Sequence, residues 1–380
     1  MTIAPSRLAT REFLRLWAGA FPFFLSFYLL LPTIPLYARA LGIPESEIGL
    51  IVGFFALSSM TVRPWAGWAA DRYGRLPLLV AGTLLFLASS LLYGWSRSVG
   101  ALLAVRVVHG AGMGLYPTAA TAVVADIAPP ERRGEAMGFF GAAGNLALAL
   151  GPVLGVWLME RLGFSSLFAA SAAAAALALA VTLSLKETAP ERRRVAFGLA
   201  SVLSPAALFP SAILFCLMAT YGVLMAFLPL YVRAIDAGNP GIFFLVFASV
   251  VAAVRGYAGR LSDRLGRAPV SAAGMVLAGL ATAALALRGG PLTLVLAGML
   301  YGIGFGTAQP SLMAWTVDLV PPVERGKAMG TFFTAFELGI GAGAIGFGLV
   351  LGRAGFPAMF LAAGALALVG GALGAIPFRR

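Results

Sequence analysis

Residues Gly67 to Pro77 read Gly-Trp-Ala-Ala-Asp-Arg-Tyr-Gly-Arg-Leu-Pro, and residues Gly259 to Pro269 read Gly-Arg-Leu-Ser-Asp-Arg-Leu-Gly-Arg-Ala-Pro. At a separation of 192 residues (Asp71 to Asp263), Gly67 matches Gly259, Arg72 matches Arg264, Gly74 matches Gly266, Arg75 matches Arg267 and Pro77 matches Pro269. The correspondence runs upstream to Arg63 with Arg255 and Trp65 with Tyr257. Each copy is a short charged turn between two long apolar runs. A turn that recurs half a chain later implies two structurally equivalent halves.

The composition agrees with a membrane chain. Of 380 residues, 60% are hydrophobic and 11% charged, whereas a soluble domain carries about 25% charge. A spanning helix needs ~20 apolar residues, which leaves room for about twelve. The first apolar run is too long for a cleavable signal peptide and lacks a small-residue cleavage site. Cys216 is the one cysteine, so no intrachain disulfide and no Cys-based metal site is expected.

The net charge of +12 is distributed by topology. Only Arg39, Arg97, Arg161, Arg233, Arg288 and Arg353 fall in one set of loops, and Arg106 lies inside an apolar run. Every other Lys and Arg sits at the termini or in the opposite loops and their flanks. By the positive-inside rule both termini are expected in the cytoplasm. This placement argues for anionic lipid at the surface and against nucleic acid.

The pattern Gly-x-x-x-Asp-Arg-x-Gly-Arg resembles the loop motif between the second and third helices of the major facilitator superfamily, the twelve-helix secondary transporters. The resemblance covers nearly the whole chain. It implies an all-α membrane protein with twelve transmembrane helices in two pseudo-symmetric six-helix halves. The halves are expected at 1–185 and 206–380, joined by a cytoplasmic linker at 186–205. In the family the turn residues form a cytoplasmic latch, which assigns gating to Gly67, Asp71, Arg72, Gly74 and Arg75 and to Gly259, Asp263, Arg264, Gly266 and Arg267. The loop from Asp126 to Arg133 repeats as Asp318 to Arg325. Its acids and arginines are the expected partners of the turns across the two halves. The alternative is a solvated turn with topogenic arginines.

The expected spans are 14–37, 47–70, 76–95, 100–125, 135–159, 164–185, 207–232, 241–261, 269–287, 291–317, 327–352 and 357–376. The first is aromatic (Phe21, Phe23, Phe24, Phe27, Tyr28) and has no acidic residue, unlike many drug–proton antiporters of the family. Pro35-Leu36-Tyr37 recurs as Pro229-Leu230-Tyr231, so the seventh span repeats the first. The fourth carries Arg106, and Gly110 four residues later resembles the family's helix-four pattern, with His109 in place of the usual glutamine. The fifth has Gly138, Gly151, Pro152 and Gly155, a partial match to the antiporter signature in which Ala147 and Val156 replace glycines. That match favours export. The tenth carries Tyr301 and Gln309, with Gly298 where the fourth has Arg106.

Glu337 in the eleventh span is the one carboxylate well inside an apolar run. It lies ~15 Å from the cytoplasmic end, and its repeat equivalent is Asn145. Ionisable groups at such depth are costly and default to function. Glu337 and His109 are therefore the proton-coupling candidates. Structural alternatives are carbonyl binding for Arg106, a neutral helix contact for His109 and pairing with a buried cation for Glu337.

No nucleotide-binding Gly-rich Lys loop, metal cluster or nucleophile–base set occurs, so the chain is expected to be no enzyme and to need no cofactor. A proton gradient is the expected energy source. The expected function is proton-coupled efflux of amphipathic or hydrophobic small molecules by a monomer of the inner membrane. Substrate-cavity candidates are Arg106, Asn145, Phe27, Tyr28, Tyr116, Met218, Tyr221, Met225, Tyr301, Gln309 and Phe336. The alternatives are uptake or exchange of a small organic anion clamped by Arg106, lipid or lysolipid movement, and, from another class, a membrane-embedded enzyme or assembly factor.

Overall fold

The structure, a computed structural model, describes residues 10–129, 132–188, 203–321 and 324–375. Most of the expected linker, both termini and the Arg133 side chain lie outside the described residues. In the first half the helices are α1 (Arg11–Ala40, with a turn at Leu31–Pro32), α2 (Glu45–Tyr73), α3 (Arg75–Trp95) and α4 (Val99–Ile127). They continue through one long run, Arg133–Leu183. In the second half they are α7 (Leu208–Ala234), α8 (Gly241–Leu265), α9 (Arg267–Leu287) and α10 (Gly290–Asp318), followed by the run Arg325–Ala375.

Each long run contains 51 residues, or ~77 Å at 1.5 Å per residue, far beyond a hydrocarbon core of ~30 Å. Gly163 (φ 80°) breaks the first run and Gly355 (φ 76°) breaks the second. Positive φ is a conformation that glycine adopts without steric cost. The two breaks are again 192 residues apart and divide the runs into α5 (133–162), α6 (164–183), α11 (325–354) and α12 (356–375). Nine helices among the described residues are long and apolar enough to cross a membrane, and α8, bent by 52° between Arg255 and Tyr257, makes a tenth. Counting the two double-length runs as pairs gives twelve spans.

In lipid every backbone polar group must find an internal partner, and helices satisfy that requirement locally. Their ends are closed in the same way. Thr10 Oγ accepts from the Phe13 amide at 3.2 Å, and Ser98 Oγ from the Ala101 amide at 3.3 Å. Gly74 (φ 107°) turns the chain between α2 and α3, and the Glu187 carboxylate then accepts from the amides of Arg75 (2.9 Å) and Leu76 (3.0 Å). An anion at a helix N-terminus satisfies orphan donors and the dipole together. Gly266 (φ 99°) makes the equivalent turn between α8 and α9.

Small residues set the distances between helices. Gly82 of α3 abuts Gly112 of α4, and Gly274 of α9 abuts Gly304 of α10. Gly110 and Gly114 receive α2, while Gly151 and Gly155 of α5 receive the backbone of α1 at Tyr28 and Leu29. Where lipid competes equally for apolar surface, such close approach is the main source of helix association. Ser26, Ser90 and Ser171 tie α1, α3 and α6 together through hydroxyl contacts of 2.9–3.5 Å.

The halves meet along two seams, α2 against α11 and α5 against α8. A Cβ on Gly49 would collide with the Ala344 carbonyl, and one on Gly241 with the Pro152–Val153 backbone. Arg233 of α7 pairs with Glu160 of α5 at the same end of the molecule. These contacts join the halves at the end opposite the duplicated turns.

At the turn end the pairing differs from the expectation of cross-half partners. Arg75 bonds Asp71 at 2.6 Å and Asp126 at 3.2 Å, all within the first half. Arg267 pairs with Asp263, and with Asp318 at 2.9 Å, all within the second. The reason is local. The Gly74 turn sets Arg75, at the start of α3, beside Asp71 in the last turn of α2, and the turn folds back on the loop of its own half. Arg72 lies over Trp68 and Tyr73, and Arg264 and Arg325 are exposed.

Candidate functional site

Between the halves lies a cavity of about 340 Å³. Its walls are aromatic and aliphatic: Phe24, Phe27 and Tyr28 from α1, Phe55 from α2, Tyr221 and Met225 from α7, Phe247 from α8, Phe305 from α10 and Phe336 from α11. Set into these walls are the polar groups Arg63, Arg106, Asn145, Arg255, Gln309 and Glu337. An apolar pocket with a few convergent polar groups is the ordinary form of a small-molecule site.

Glu337 is buried, and its carboxylate faces the other half. Arg63 Nη2 donates to Glu337 Oε1 at 2.5 Å, and Ser59 Oγ approaches the same oxygen at 3.4 Å. The cation opposite Glu337 is thus Arg63 rather than Arg106 or His109. This ion pair joins α2 to α11 at the cavity wall, and breaking it would leave a charge in a poorly hydrated place.

Arg106 reaches the cavity by another route. Its Nε donates to the Ile51 carbonyl at 2.9 Å, and the guanidinium lies 4.3 Å from the Phe55 ring centroid. It also stands beside Tyr93. A guanidinium stacked on a ring and bonded to a carbonyl is well held without a counter-ion. Arg255 of α8 is exposed to the cavity, with Nη2 3.4 Å from Gln309 Oε1. The Tyr28 hydroxyl feels both Arg255 and Glu337.

Of the cavity candidates read from the sequence, Phe27, Tyr28, Arg106, Asn145, Tyr221, Met225, Gln309 and Phe336 line the space, together with Glu337. Tyr116, Met218 and Tyr301 are not among the lining residues. Tyr116 stacks on Phe23 at 3.9 Å inside the first half. Met218 packs against Gly339 in the α7–α11 contact. The Tyr301 hydroxyl bonds Thr220 Oγ at 2.9 Å, turning the ring into the second half. His109 is also outside the lining. It sits behind Phe27 and Phe55, with Phe86 at 4.2 Å between ring centroids and Nδ1 3.1 Å from the Tyr93 hydroxyl. Gly138 has open space around it, while Gly151, Pro152 and Gly155 serve helix contacts.

Arg63 and Arg255 also line the cavity. Both stand in the repeat alignment upstream of the turn, and neither is among the cavity candidates read from the sequence. Their depth was the available signal: each stands eight residues before its aspartate (Arg63 to Asp71), or ~12 Å along the helix. Matched arginines so far inside two apolar runs call for partners in the interior.

The family model described as Major Facilitator Superfamily matches residues 16–257 and 211–380. The staphylopine export protein of Staphylococcus aureus is 24% identical over 372 residues, covering 94% of both chains. The quinolone resistance protein NorA of the same organism is 32% identical over 145 residues, only 38% of this chain and 37% of its own length. Among solved structures, the nucleoside transporter NupG superposes with a TM-score of 0.83 at 16% identity, covering 97% of this chain and all of its own. The human organic anion transporter MFSD10 (TETRAN) gives a TM-score of 0.69 at 23% identity over 98% of this chain and 100% of its own. The staphylopine relative is an export protein, the quinolone relative a resistance protein, and both fold neighbours are transporters. With twelve spans, a duplicated turn motif and a central cavity between the halves, the chain belongs to the Major Facilitator Superfamily.

Proposed function

We propose that the protein is a proton-coupled exporter of amphipathic small molecules in the cytoplasmic membrane, acting by alternating access as a monomer without a cofactor. The observation that carries this reading is the Arg63–Glu337 pair, which crosses between the halves at the wall of the cavity. A carboxylate in that position exists either as an ion held by Arg63 or as a neutral acid that no longer attracts it. Proton uptake would remove the charge and free the guanidinium, and proton release would restore the link. One titration thereby changes both the charge of the cavity and the bond between the halves, which is the requirement for coupling.

With the turn end taken as cytoplasmic, the halves are joined at the outer end and the cavity is offered to the inside. The apolar rings suit an amphipathic substrate entering from the cytoplasmic side. Likeness to the staphylopine export protein supports export over uptake. The test uses proteoliposomes with an acidic lumen and a panel of fluorescent amphiphiles that includes a quinolone. At least one should accumulate against its gradient, and a protonophore should abolish the accumulation. Accumulation that survives collapse of the proton gradient would reject the coupling.

A further inference from the structure

The 192-residue shift relates the two seams residue for residue, because Gly49 corresponds to Gly241 and Ala344 to Pro152, and each pair is a point of backbone contact. Further along the same helices the shift takes Arg63 to Arg255 and Glu337 to Asn145. The backbone contacts of the seams repeat, but the chemistry at these two positions does not, and α8 bends just after Arg255. Arg63 on α2 faces the Glu337 carboxylate on α11 at 2.5 Å. The equivalent position on α5 holds an amide, and among the described residues Arg255 has no acidic partner. Its hydrogen bond to Gln309 Oε1 at 3.4 Å is long and uncharged on the acceptor side, and the Tyr28 hydroxyl beside it is neutral too.

The charges of the cavity follow from this asymmetry. Three guanidinium groups line it, Arg63, Arg106 and Arg255, against the single carboxylate of Glu337. Arg63 is neutralised by that carboxylate, and Arg106 is fixed to the Ile51 carbonyl and the Phe55 ring. Arg255 remains as the cation presented to whatever enters. Its planar fork matches a carboxylate through two parallel hydrogen bonds. Positive charge in a cleft with low-dielectric walls favours anions and repels cations.

We propose that the exported molecule is an amphipathic organic carboxylate whose anionic group docks on Arg255. It fills the place that an acid at position 145 would occupy, while the apolar part lies against the rings of Tyr28, Phe305 and Phe336. The bound anion then completes a second Arg–carboxylate pair, related to Arg63–Glu337 by the internal two-fold. This inference rests on the export reading and names the substrate class of that same cavity.

The experiment measures binding to the purified full chain in nanodiscs by titration calorimetry, using matched probes: naphthoate with naphthamide, and biphenylcarboxylate with its amide. Wild type should prefer the acids by about 10- to 100-fold, the scale of one charge-assisted hydrogen-bonded pair. Asn145→Asp keeps every arginine but supplies the acid within the protein, so it should erase the preference. Arg255→Gln should do the same, each variant being scored by its own ratio of acid to amide affinity. If Arg255→Gln does not fold, Asn145→Asp decides. Absent acid binding, equal affinity for acid and amide in wild type, or an acid preference that survives Asn145→Asp would overturn the proposal. Proton-driven transport is scored separately. Its persistence without acid preference removes this inference alone, whereas acid preference without proton-driven transport removes the coupling reading and leaves the site.

Discussion

Arg63→Met, Glu337→Gln and the double variant form a thermodynamic cycle around the cross-half ion pair. Arg63 Nη2 and Glu337 Oε1 are 2.5 Å apart, and the glutamate side chain is 7% exposed against 28% for the arginine. Unit charges ~4 Å apart attract by about 4 kcal/mol at an effective dielectric of ~20. Desolvation offsets part of this, leaving a coupling of about 1.5–3 kcal/mol. Arg63→Met strands the more buried partner and should cost about 3 kcal/mol. Glu337→Gln leaves a guanidinium that still reaches cavity water, so its cost should be smaller. The double variant has no stranded charge and should recover most of the loss. The readout is the thermal midpoint of the purified protein, at about 2–4 °C per kcal/mol for a unit the size of one half. Arg63→Met should therefore fall by about 6–12 °C, with the double variant within a few degrees of wild type. Simply additive losses, with coupling below about 0.5 kcal/mol, would refute the pair as the link between the halves.

Three further outcomes follow from the same geometry. Gly241→Leu should force α8 away from Pro152–Val153 and widen label-to-label distances at the end opposite the turns; unchanged distances would show that this seam does not close that end. Arg75→Ala removes bonds to Asp71 and Asp126 and should cost about 1–2 kcal/mol. It should also slow transport while leaving the cross-half distances at rest unaltered, and distances that change would restore the cross-half latch. His109→Gln should retain proton-driven transport, because the imidazole sits behind Phe27 and Phe55; loss of pH dependence in a folded variant would return His109 to the coupling machinery.

The duplicated turn made the fold legible. Equivalent residues such as Asp71 and Asp263, or Asp126 and Asp318, occupy equivalent places in the two halves. The cavity was legible where chemistry and depth coincided, as for Glu337 and Arg106. It was not legible where a helix face decides: Tyr301 and Gln309 share α10, yet only Gln309 faces the cavity. Sequence spacing along one helix cannot say which neighbour lies on which side. The partner of Glu337 was hidden for the same reason, since Arg63 stands on a helix of the other half and meets it only once α2 packs on α11. The turns misled in the opposite direction. The glycine turn between Asp71 and Arg75 makes a local pair, whereas the remote partner is what the family's latch implies.

In the proposed function Glu337 carries the coupling proton, and Glu337→Gln removes that proton site alone. The amide keeps the shape and the hydrogen-bonding capacity of the acid but cannot titrate. Uphill accumulation driven by a proton gradient and substrate exchange without a gradient are measured side by side in proteoliposomes of wild type and variant. Glu337→Gln should retain exchange and lose uphill accumulation. Full uphill accumulation by Glu337→Gln, with the pH dependence of wild type, would contradict it.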